Sequence, residues 1–262
     1  MVHYRPDRNH RPLKYWFGYG IVTRHERGER RAVSENSRVA GSIHARLVAS
    51  SNPTRKKKIA EYMKTSSLQF IGVELPRIHS IVKDHLRALP AEALPTVMTD
   101  LWKMETFETR LAAIDVMKVY ARKGPVARAL GIADEWVDDV DTWGLSDPLC
   151  QPCIGTLLNR DPSVEETLVV WRGSDNFWRR RCSVLPYLFL CLKARYRLEY
   201  GQMVLDAVTP HISDEEFFVG KAAGWVLREL SKREPELVRS FIETHAGEMT
   251  RLVKREASLK LR

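Results

Sequence analysis

Proline and glycine breaks divide this sequence into amphipathic stretches, and this pattern constrains the fold more than any other feature. The breaks include Ser51-Asn52-Pro53, Lys123-Gly124-Pro125 and Gly173-Ser174-Asp175. Between the breaks, apolar residues recur at helical spacing, and no segment shows the period-two alternation of a half-buried strand. The sequence therefore predicts an all-α protein with short turns between helices. Such helices form either stacked helical pairs, that is a solenoid, or an irregular bundle.

The first 40 residues differ from the rest of the chain. Residues 1–40 are rich in Arg, His and Gly and show no sustained periodicity. We therefore expect a flexible basic N-terminal arm over 1–40 and one helical domain over 41–262. The arm either adds non-specific phosphate contacts or is an inert tail.

The charge balance favours a polyanionic partner. The formal net charge is +9, which suits nucleic acid or an acidic membrane surface, although solubility alone also explains it.

The sequence contains no run of 18 apolar residues, so it predicts no membrane-spanning helix. Residues 1–5 lack the continuous apolar stretch of a secretory signal, and the acidic residues that follow fit a transit peptide poorly. By elimination, we expect a cytoplasmic protein.

Four cysteines are present, at Cys150, Cys153, Cys182 and Cys191. Because they are few and no targeting signal is recognised, we expect reduced thiols. Cys150 and Cys153 have the spacing of a zinc-ligand or redox pair. A structural zinc site needs a second pair of ligands at short spacing, and the redox motif needs a βαβ context. Neither is found, so we interpret this spacing as chance.

The clearest predicted helix runs from about Glu216 to Lys232. At 100° per residue, its apolar face is formed by Val219, Ala223, Val226 and Leu230. Its opposite face is formed by Lys221, Trp225, Arg228 and Lys232. Trp225 thus lies among cations, away from the core. The arrangement is typical of a phosphate-binding ridge with an aromatic surface, or of a tryptophan packed under a neighbouring helix.

A second helix is predicted over residues 134–143. Its core positions would be Trp136, Val140 and Trp143. Asp138 and Asp141 lie on the opposite side, and Val137 lies next to Asp141 on the helix surface. Carboxylates beside a polyanion groove oppose binding. Either one of them serves chemistry, or both are ordinary surface acids.

A third helix is predicted to start at Ser174 or Asp175, both of which are good N-caps. Its apolar stripe would be Trp178, Cys182, Leu185 and Phe189. Of the three consecutive arginines, Arg181 lies closest to the apolar edge. It either reaches into a groove and contacts phosphate, or it is an ordinary solvated charge. Pro186 should kink or end the helix.

Six segments occur in an order that resembles one known family. They are Tyr62-Met63-Lys64 with Phe70-Ile71-Gly72-Val73, Leu101-Trp102 through Ala112-Ala113-Ile114-Asp115-Val116-Met117, Trp136-Val137-Asp138-Asp139-Val140-Asp141, Trp171 through Arg181, Lys221 through Glu229, and Lys254-Arg255-Glu256-Ala257. From about Ala40 onward the chain resembles the AlkD-like alkylpurine DNA glycosylases, which are built from HEAT-like helical repeats. The resemblance implies a solenoid with a concave basic face that holds duplex DNA. It also implies removal of cationic purines such as 7-methylguanine and 3-methyladenine.

The resemblance also implies roles for particular residues. The catalytic aspartate, which ends the family's Trp-Trp-Asp-x-Val-Asp segment, falls on Asp141. The family's groove tryptophan falls on Trp225 and its groove arginine on Arg181. The second tryptophan of the family segment, which flanks the sugar, is replaced by Val137. Further DNA contacts are expected from Lys64, Asp138, Lys221 and Arg228.

The resulting hypothesis is base excision without a metal or an organic cofactor. An alkylated purine already carries positive charge, so the enzyme mainly stabilises an oxocarbenium-like sugar and admits water. Asp141 would supply the negative charge and Trp225 an aromatic face. We expect a monomer acting on double-stranded DNA. Two alternatives are a non-catalytic HEAT-repeat protein that binds damaged or branched DNA, and a protein-binding helical solenoid.

Overall fold

The structure, a computed structural model, describes the backbone of residues 24–261 and the side chains of residues 36–261. In this part of the chain there are helices and no strand, which confirms the all-α prediction. The helices are α1 (Arg24–Ala49), α2 (Pro53–Tyr62), α3 (Leu75–Leu86), α4 (Leu94–Lys103), α5 (Phe107–Lys123), α6 (Val126–Asp138), α7 (Trp143–Leu149), α8 (Gly155–Arg160), α9 (Val164–Arg172), α10 (Phe177–Val184), α11 (Pro186–Leu190), α12 (Tyr200–Val208), α13 (Phe217–Leu230), α14 (Pro235–Thr244) and α15 (Arg251–Ser258). None of these described helices is long and apolar enough to cross a lipid bilayer.

The first helix crosses the predicted domain boundary. α1 begins at Arg24, so the boundary expected at residue 40 falls inside a helix. Ala40, Ile43 and Leu47 are completely buried, because the second half of α1 packs against α3 and α4. Residues 1–23 of the predicted arm lie outside the described residues.

Helix α5 forms the centre of the N-terminal half. Apolar residues recur along it at helical spacing, and Phe107, Leu111, Ile114 and Met117 are all buried. The helix contacts α3 and α4 on one side and α6 and α7 on another. An apolar stripe of this kind supplies the largest favourable term in helix packing. α5 is therefore a core helix of this half.

The connection from α2 to α3 is fixed onto the first turn of α5. The fully buried carboxylate of Glu108 accepts hydrogen bonds from the backbone N–H groups of Ile71, Gly72 and Val73, at 2.8, 2.7 and 3.2 Å. Gly72 has a φ of 91°, and a Cβ there would lie 2.3 Å from the carbonyl oxygen of Asn52. Only glycine fits this position. The end of α2 is thereby held beside α7.

The helix predicted over residues 134–143 is wrong. α6 ends at Asp138 and α7 begins at Trp143, so Asp141 lies in the loop between them. Two tertiary contacts hold the break open. Nη1 of Arg110 donates to the carbonyl oxygen of Asp139 at 2.7 Å, and Nε1 of Trp102 donates to the Asp139 carboxylate at 2.9 Å. Such contacts between distant segments override local helical periodicity.

The other two predicted helices are confirmed. α13 follows an N-cap at Glu216, and its four predicted apolar residues are fully buried. α10 is capped by the side chain of Asn176, one or two residues later than expected. Pro186 ends α10 and opens α11 at its first turn, where proline is tolerated.

The expectation of four reduced thiols is also wrong. Cys150, directly after α7, forms a disulfide with Cys182 in α10, 32 residues away, with 5.5 Å between the two Cα atoms. Cys153 and Cys191 are free and buried. The pair that forms is therefore not the one with the suggestive spacing. Helix packing brings Cys150 and Cys182 together, and the spacing of the cysteines along the sequence does not predict this pairing.

Candidate active site

A pocket of about 620 Å³ opens between α2, α3, α5 and α7. Its apolar lining consists mainly of Ile59, Met63, Val73, Leu75, Phe107, Leu111 and Pro148. Charged groups also reach it, from Arg55, Lys58, Asp115, Lys118 and Asp147. An open concavity with an apolar floor and a few charged groups is the usual form of a ligand site.

Two of the aromatic side chains that line this pocket contact each other. Tyr62, at the end of α2, meets Trp143, the first residue of α7, with ring centroids 5.3 Å apart and planes at 89°. Tyr62 is 69% exposed. Large apolar surface that remains open to solvent is typical of a binding surface. The side chain of Thr142 caps α7 by accepting a hydrogen bond from the N–H of Gly144, which fixes the helix end that carries Trp143.

A carboxylate lies one helical turn after this tryptophan. Asp147 and Trp143 are four residues apart on α7, a spacing that places them on one side of a helix. Oδ1 of Asp147 accepts hydrogen bonds from Nε and Nη2 of Arg181, at 3.0 and 2.7 Å, and from the hydroxyl of Ser146, at 2.9 Å. Oδ2 accepts none from the residues that the structure describes. One oxygen is thus held in place, and a negative charge lines the pocket.

The arginine that holds Asp147 is itself buried. The side chain of Arg181 is only 4% exposed, and its Nη1 donates to the carbonyl oxygen of Phe218 at the start of α13. All of these contacts are internal. Arg181 was expected in a DNA groove; the structure instead buries its side chain, where it holds the Asp147 carboxylate.

A second carboxylate, which is largely buried, lines the pocket from α5. Asp115, on α5, pairs with Nδ1 of His79 from α3 and with Nζ of Lys118, the latter at 2.8 Å. The Asp115 side chain is 10% exposed, whereas that of His79 is 51% exposed. Arg55 and Lys58 lie on α2 across the opening. Cationic groups therefore surround the carboxylate and the aromatic pair, as a site for a polyanion requires.

Asp141 lies in a different and smaller pocket. That pocket is about 270 Å³ and is lined by Ser67, Leu68, Gln69, Glu105, Arg110, Asp139 and Asp141. Oδ2 of Asp141 accepts hydrogen bonds from the backbone N–H and the hydroxyl of Ser67, at 2.6 and 3.1 Å. Oδ1 is buried and has no partner among the described residues. No aromatic residue lines this pocket, so the structure does not pair Asp141 with an aromatic side chain there.

The predicted contact of Val137 with a sugar is corrected, and Asp138 has an internal partner. Val137 is completely buried, so it has no surface to offer a sugar. The carboxylate of Asp138 forms two hydrogen bonds of 2.6 Å to Arg179 in α10. These bonds hold the pKa of Asp138 below its usual value. Asp138 therefore joins α6 to α10, while its side chain remains 56% exposed, and its DNA contact stays a prediction.

The cationic face predicted on α13 exists, but it is internally paired. The buried carboxylate of Glu256 on α15 binds Nζ of Lys221 at 2.7 Å and Nη1 of Arg228 at 2.8 Å. Burial raises the pKa of Glu256, but the hydrogen bonds from Lys221 and Arg255 outweigh that effect and lower it. Lys221 keeps 41% of its side chain exposed. The ridge is thus a rigid, net positive surface.

Two further residues were predicted to contact DNA, Trp225 on α13 and Lys64 after α2. Trp225 is partly buried, on the side of α13 that carries Lys221, and it does not line the 620 Å³ pocket. Lys64 is exposed in the turn after α2. The DNA-binding roles of Trp225, Lys64, Lys221 and Arg228 stay predictions.

Sequence reasoning missed Trp143 and Asp147, although a signal was present. The family segment used above has a tryptophan four residues before its last aspartate. Val137 and Asp141 do not reproduce that pair, whereas Trp143 and Asp147 do. A shift of the comparison by six residues restores the tryptophan. The assumption of one continuous helix, with Trp143 in its core, concealed this alternative.

Among the described residues, no group of three or more His, Cys, Asp or Glu side chains is arranged to hold a metal ion. Besides its apolar floor, the larger pocket is lined by aromatic, cationic and carboxylate side chains. Such an arrangement stabilises a developing positive charge beside a bound polyanion.

Comparison with known proteins identifies the family. A family model described as DNA alkylation repair enzyme matches residues 43–261, and the chain belongs to this family. No curated protein gives a significant match.

Solved structures show the same fold, the HEAT-like all-helical fold of AlkD-type proteins. A predicted DNA alkylation repair enzyme from Enterococcus faecalis is 24% identical with a TM-score of 0.69, over 80% of this chain and 96% of that one. AlkD2 from Streptococcus mutans is 18% identical with a TM-score of 0.56, over 78% and 98%. The protein smu.31 from Streptococcus mutans UA159 is 16% identical with a TM-score of 0.57, over 79% and 100%. The predicted HEAT-like fold is confirmed.

Proposed function

We propose that this chain is a DNA glycosylase that hydrolyses the N-glycosidic bond of cationic N-alkylated purines, such as 7-methylguanine and 3-methyladenine, in duplex DNA. One observation carries the proposal. The Asp147 carboxylate lies in an open pocket beside Trp143, held by a buried arginine. In a family of DNA alkylation repair enzymes, this is a group suited to stabilising a sugar cation.

The chemistry asks little of the protein. A purine alkylated at a ring nitrogen carries positive charge and departs as a neutral base, so it needs little help from a general acid. The sugar develops oxocarbenium character as the bond breaks. A fixed carboxylate near C1′ stabilises that positive charge, and the same carboxylate orients the attacking water. The expected sequence of steps needs neither a metal nor an organic cofactor.

In this proposal Asp147 replaces Asp141 as the catalytic carboxylate. Oδ2 of Asp147 is available for the sugar and the water, because Arg181 and Ser146 bind Oδ1. Trp143 and Tyr62 line the same pocket, and an aromatic ring of this kind favours a developing positive charge at the sugar. Asp141, the catalytic aspartate expected from the family resemblance, is the competing candidate, and variants of the two aspartates decide between them.

Binding of duplex DNA would use two cationic surfaces. Arg55, Lys58 and Lys64 lie in or just after α2 at the pocket, and Lys221 and Arg228 form the ridge on α13. Phosphate contacts of this kind fix the register without reading sequence. Trp225 is proposed to lie against the DNA backbone at that ridge. Because one chain supplies all these groups, we expect it to act as a monomer.

The proposal is tested with a duplex oligonucleotide that carries a single 7-methylguanine. Incubation followed by hot alkali should cleave the strand at the lesion, while an undamaged duplex of the same sequence stays intact. Tight, salt-sensitive binding without cleavage would contradict the glycosylase and support a non-catalytic protein that binds damaged or branched DNA. Absence of salt-dependent binding would instead support a protein-binding solenoid.

A further inference from the structure

We propose that the Cys150–Cys182 disulfide positions Asp147 for catalysis, so that the excision rate depends on the redox state of this cysteine pair. The inference rests on the proposed glycosylase function. It concerns the junction of α7 and α10, where a covalent link and an ion pair lie side by side.

The two links join neighbouring positions on the same two helices. Asp147 is three residues before Cys150, and Arg181 immediately precedes Cys182. The disulfide therefore closes the α7–α10 junction at the residue next to the arginine that holds the carboxylate. Any shift of α7 along α10 would change the direction in which Asp147 points.

Helix α7 has little rigidity of its own. It is seven residues long and contains Pro148, which lacks a backbone N–H for the helical hydrogen-bond ladder. A π-helical turn over Cys150–Ile154 follows directly. A helix this short is marginal without tertiary anchors. The Thr142 cap anchors its start, and the disulfide anchors its end.

The other side of the link is firmly held. Arg181 also donates to the carbonyl oxygen of Phe218, which ties α10 to α13. Cys150 and Cys182 are both completely buried, so the cross-link lies inside the packed junction. The disulfide thus connects the end of the short helix that carries the carboxylate to the helix that carries its arginine partner.

Reduction breaks this connection in a balanced step. A dithiol reductant such as dithiothreitol transfers two electrons and two protons, the S–S bond breaks, and two cysteine thiols form. The reductant leaves as its cyclic disulfide. Because the sulfur atoms are buried, reduction requires local opening, and the reduced protein is best prepared by refolding with reductant present.

The chain supplies its own matched control. Cys153 and Cys191 are as buried as the disulfide pair but are free, and burial raises the pKa of each thiol to about 12, which makes them poor nucleophiles. The test compares the double variant C150A/C182A with the double variant C153A/C191A. Single-turnover excision rate, DNA affinity and amide hydrogen exchange over residues 143–150 are measured for each, at a temperature where both are folded.

We expect wild type purified without reductant to show two titratable thiols in denaturant. C150A/C182A and the reduced wild type should excise about 10- to 100-fold more slowly with unchanged DNA affinity, since a displacement of about 1 Å has effects of this size. Exchange over 143–150 should rise in both. C153A/C191A should keep the wild-type rate and the wild-type exchange. In an Asp147→Asn background, loss of the disulfide should cause no further decrease in rate.

Four titratable thiols in wild type would overturn the inference, as would equal excision rates and equal exchange with and without the disulfide. An equal loss in both double variants would show a general packing effect and would also overturn it. If wild type excises nothing, the proposed function fails, and hydrogen exchange then decides whether the disulfide orders α7. Unchanged exchange in C150A/C182A would in that case refute the positioning role.

Discussion

Asp141 and Asp147 are six residues apart, yet they lie in unlike surroundings. Asp141 is in a loop, where Ser67 donates two hydrogen bonds to it within a small polar pocket. Asp147 is on a helix, where a buried guanidinium fixes one of its oxygens beside an aromatic pair in a larger pocket. The carboxylates are chemically the same. Their neighbours make one a tie between two loops and the other a candidate for catalysis.

The comparison also separates two uses of a charge. Hydrogen bonds from Ser67 join the segment after α2 to the loop after α6, a structural task. The ion pair with Arg181 holds one oxygen of Asp147, while the other accepts no hydrogen bond from the described residues, and the residue lines the larger pocket. A charge placed in advance where positive charge will develop costs no reorganisation during the reaction. The predictions below test this distinction.

The largest expected effect concerns the two aspartates. Asp147→Asn should lower the single-turnover excision of 7-methylguanine by at least about 100-fold, because one fixed electrostatic partner of the transition state is worth that much. Asp141→Asn should stay within about threefold of wild type. Strand cleavage after alkali, with DNA affinity measured in parallel, gives both values. The reverse ranking would return the catalytic role to Asp141.

A smaller effect is expected at the tryptophans. Trp143→Ala should lower the excision rate about tenfold with little change in DNA affinity, because it removes the aromatic face beside Asp147. Trp225→Ala should also lower excision more than it lowers binding at low salt, but by less than Trp143→Ala, because Trp225 does not line that pocket. Rates and affinities for both variants decide the order. Equal losses of excision and binding would make either residue an anchor only.

Val137→Trp tests the alignment in which Val137 takes the place of the family's sugar-flanking tryptophan. If Val137 flanked a sugar, an added aromatic would raise activity on cationic lesions. Since Val137 is completely buried, the larger side chain should instead overpack the core and lower the free energy of unfolding by about 1–3 kcal/mol. Urea unfolding measures this, with Val137→Ile as a milder control. A stable variant with faster excision would contradict the present site.

The smallest effect is expected at Ser67. Ser67→Ala removes the hydroxyl hydrogen bond to Asp141 but leaves the backbone one. The free energy of unfolding should fall by roughly 1 kcal/mol, with no change in the excision rate. Urea unfolding and the cleavage assay are measured on the same preparation. A clear loss of excision at unchanged stability would indicate that the smaller pocket takes part in the reaction.

Much of the helical framework was predictable because its signals are local. The buried stripe of α5, the faces of α13 and the break at Pro186 all follow from residues within a few positions of one another. The family resemblance named the right fold, and its assignment of Trp225 stays a prediction. It placed the catalytic aspartate six residues from the one that the pocket favours, because the segment was interpreted as one uninterrupted helix.

What the sequence alone determined, then, is the class of fold, the helix faces and the positive charge. Only the tertiary structure decided where α6 stops, which carboxylate lines the larger pocket, and that Arg181 points inward. It also decided that Cys150 meets Cys182. The reason is physical: each of these depends on partners about 30 residues or more away, such as Arg110 on the loop after α6 and Arg181 on Asp147. Periodicity within one helix carries no information about such partners.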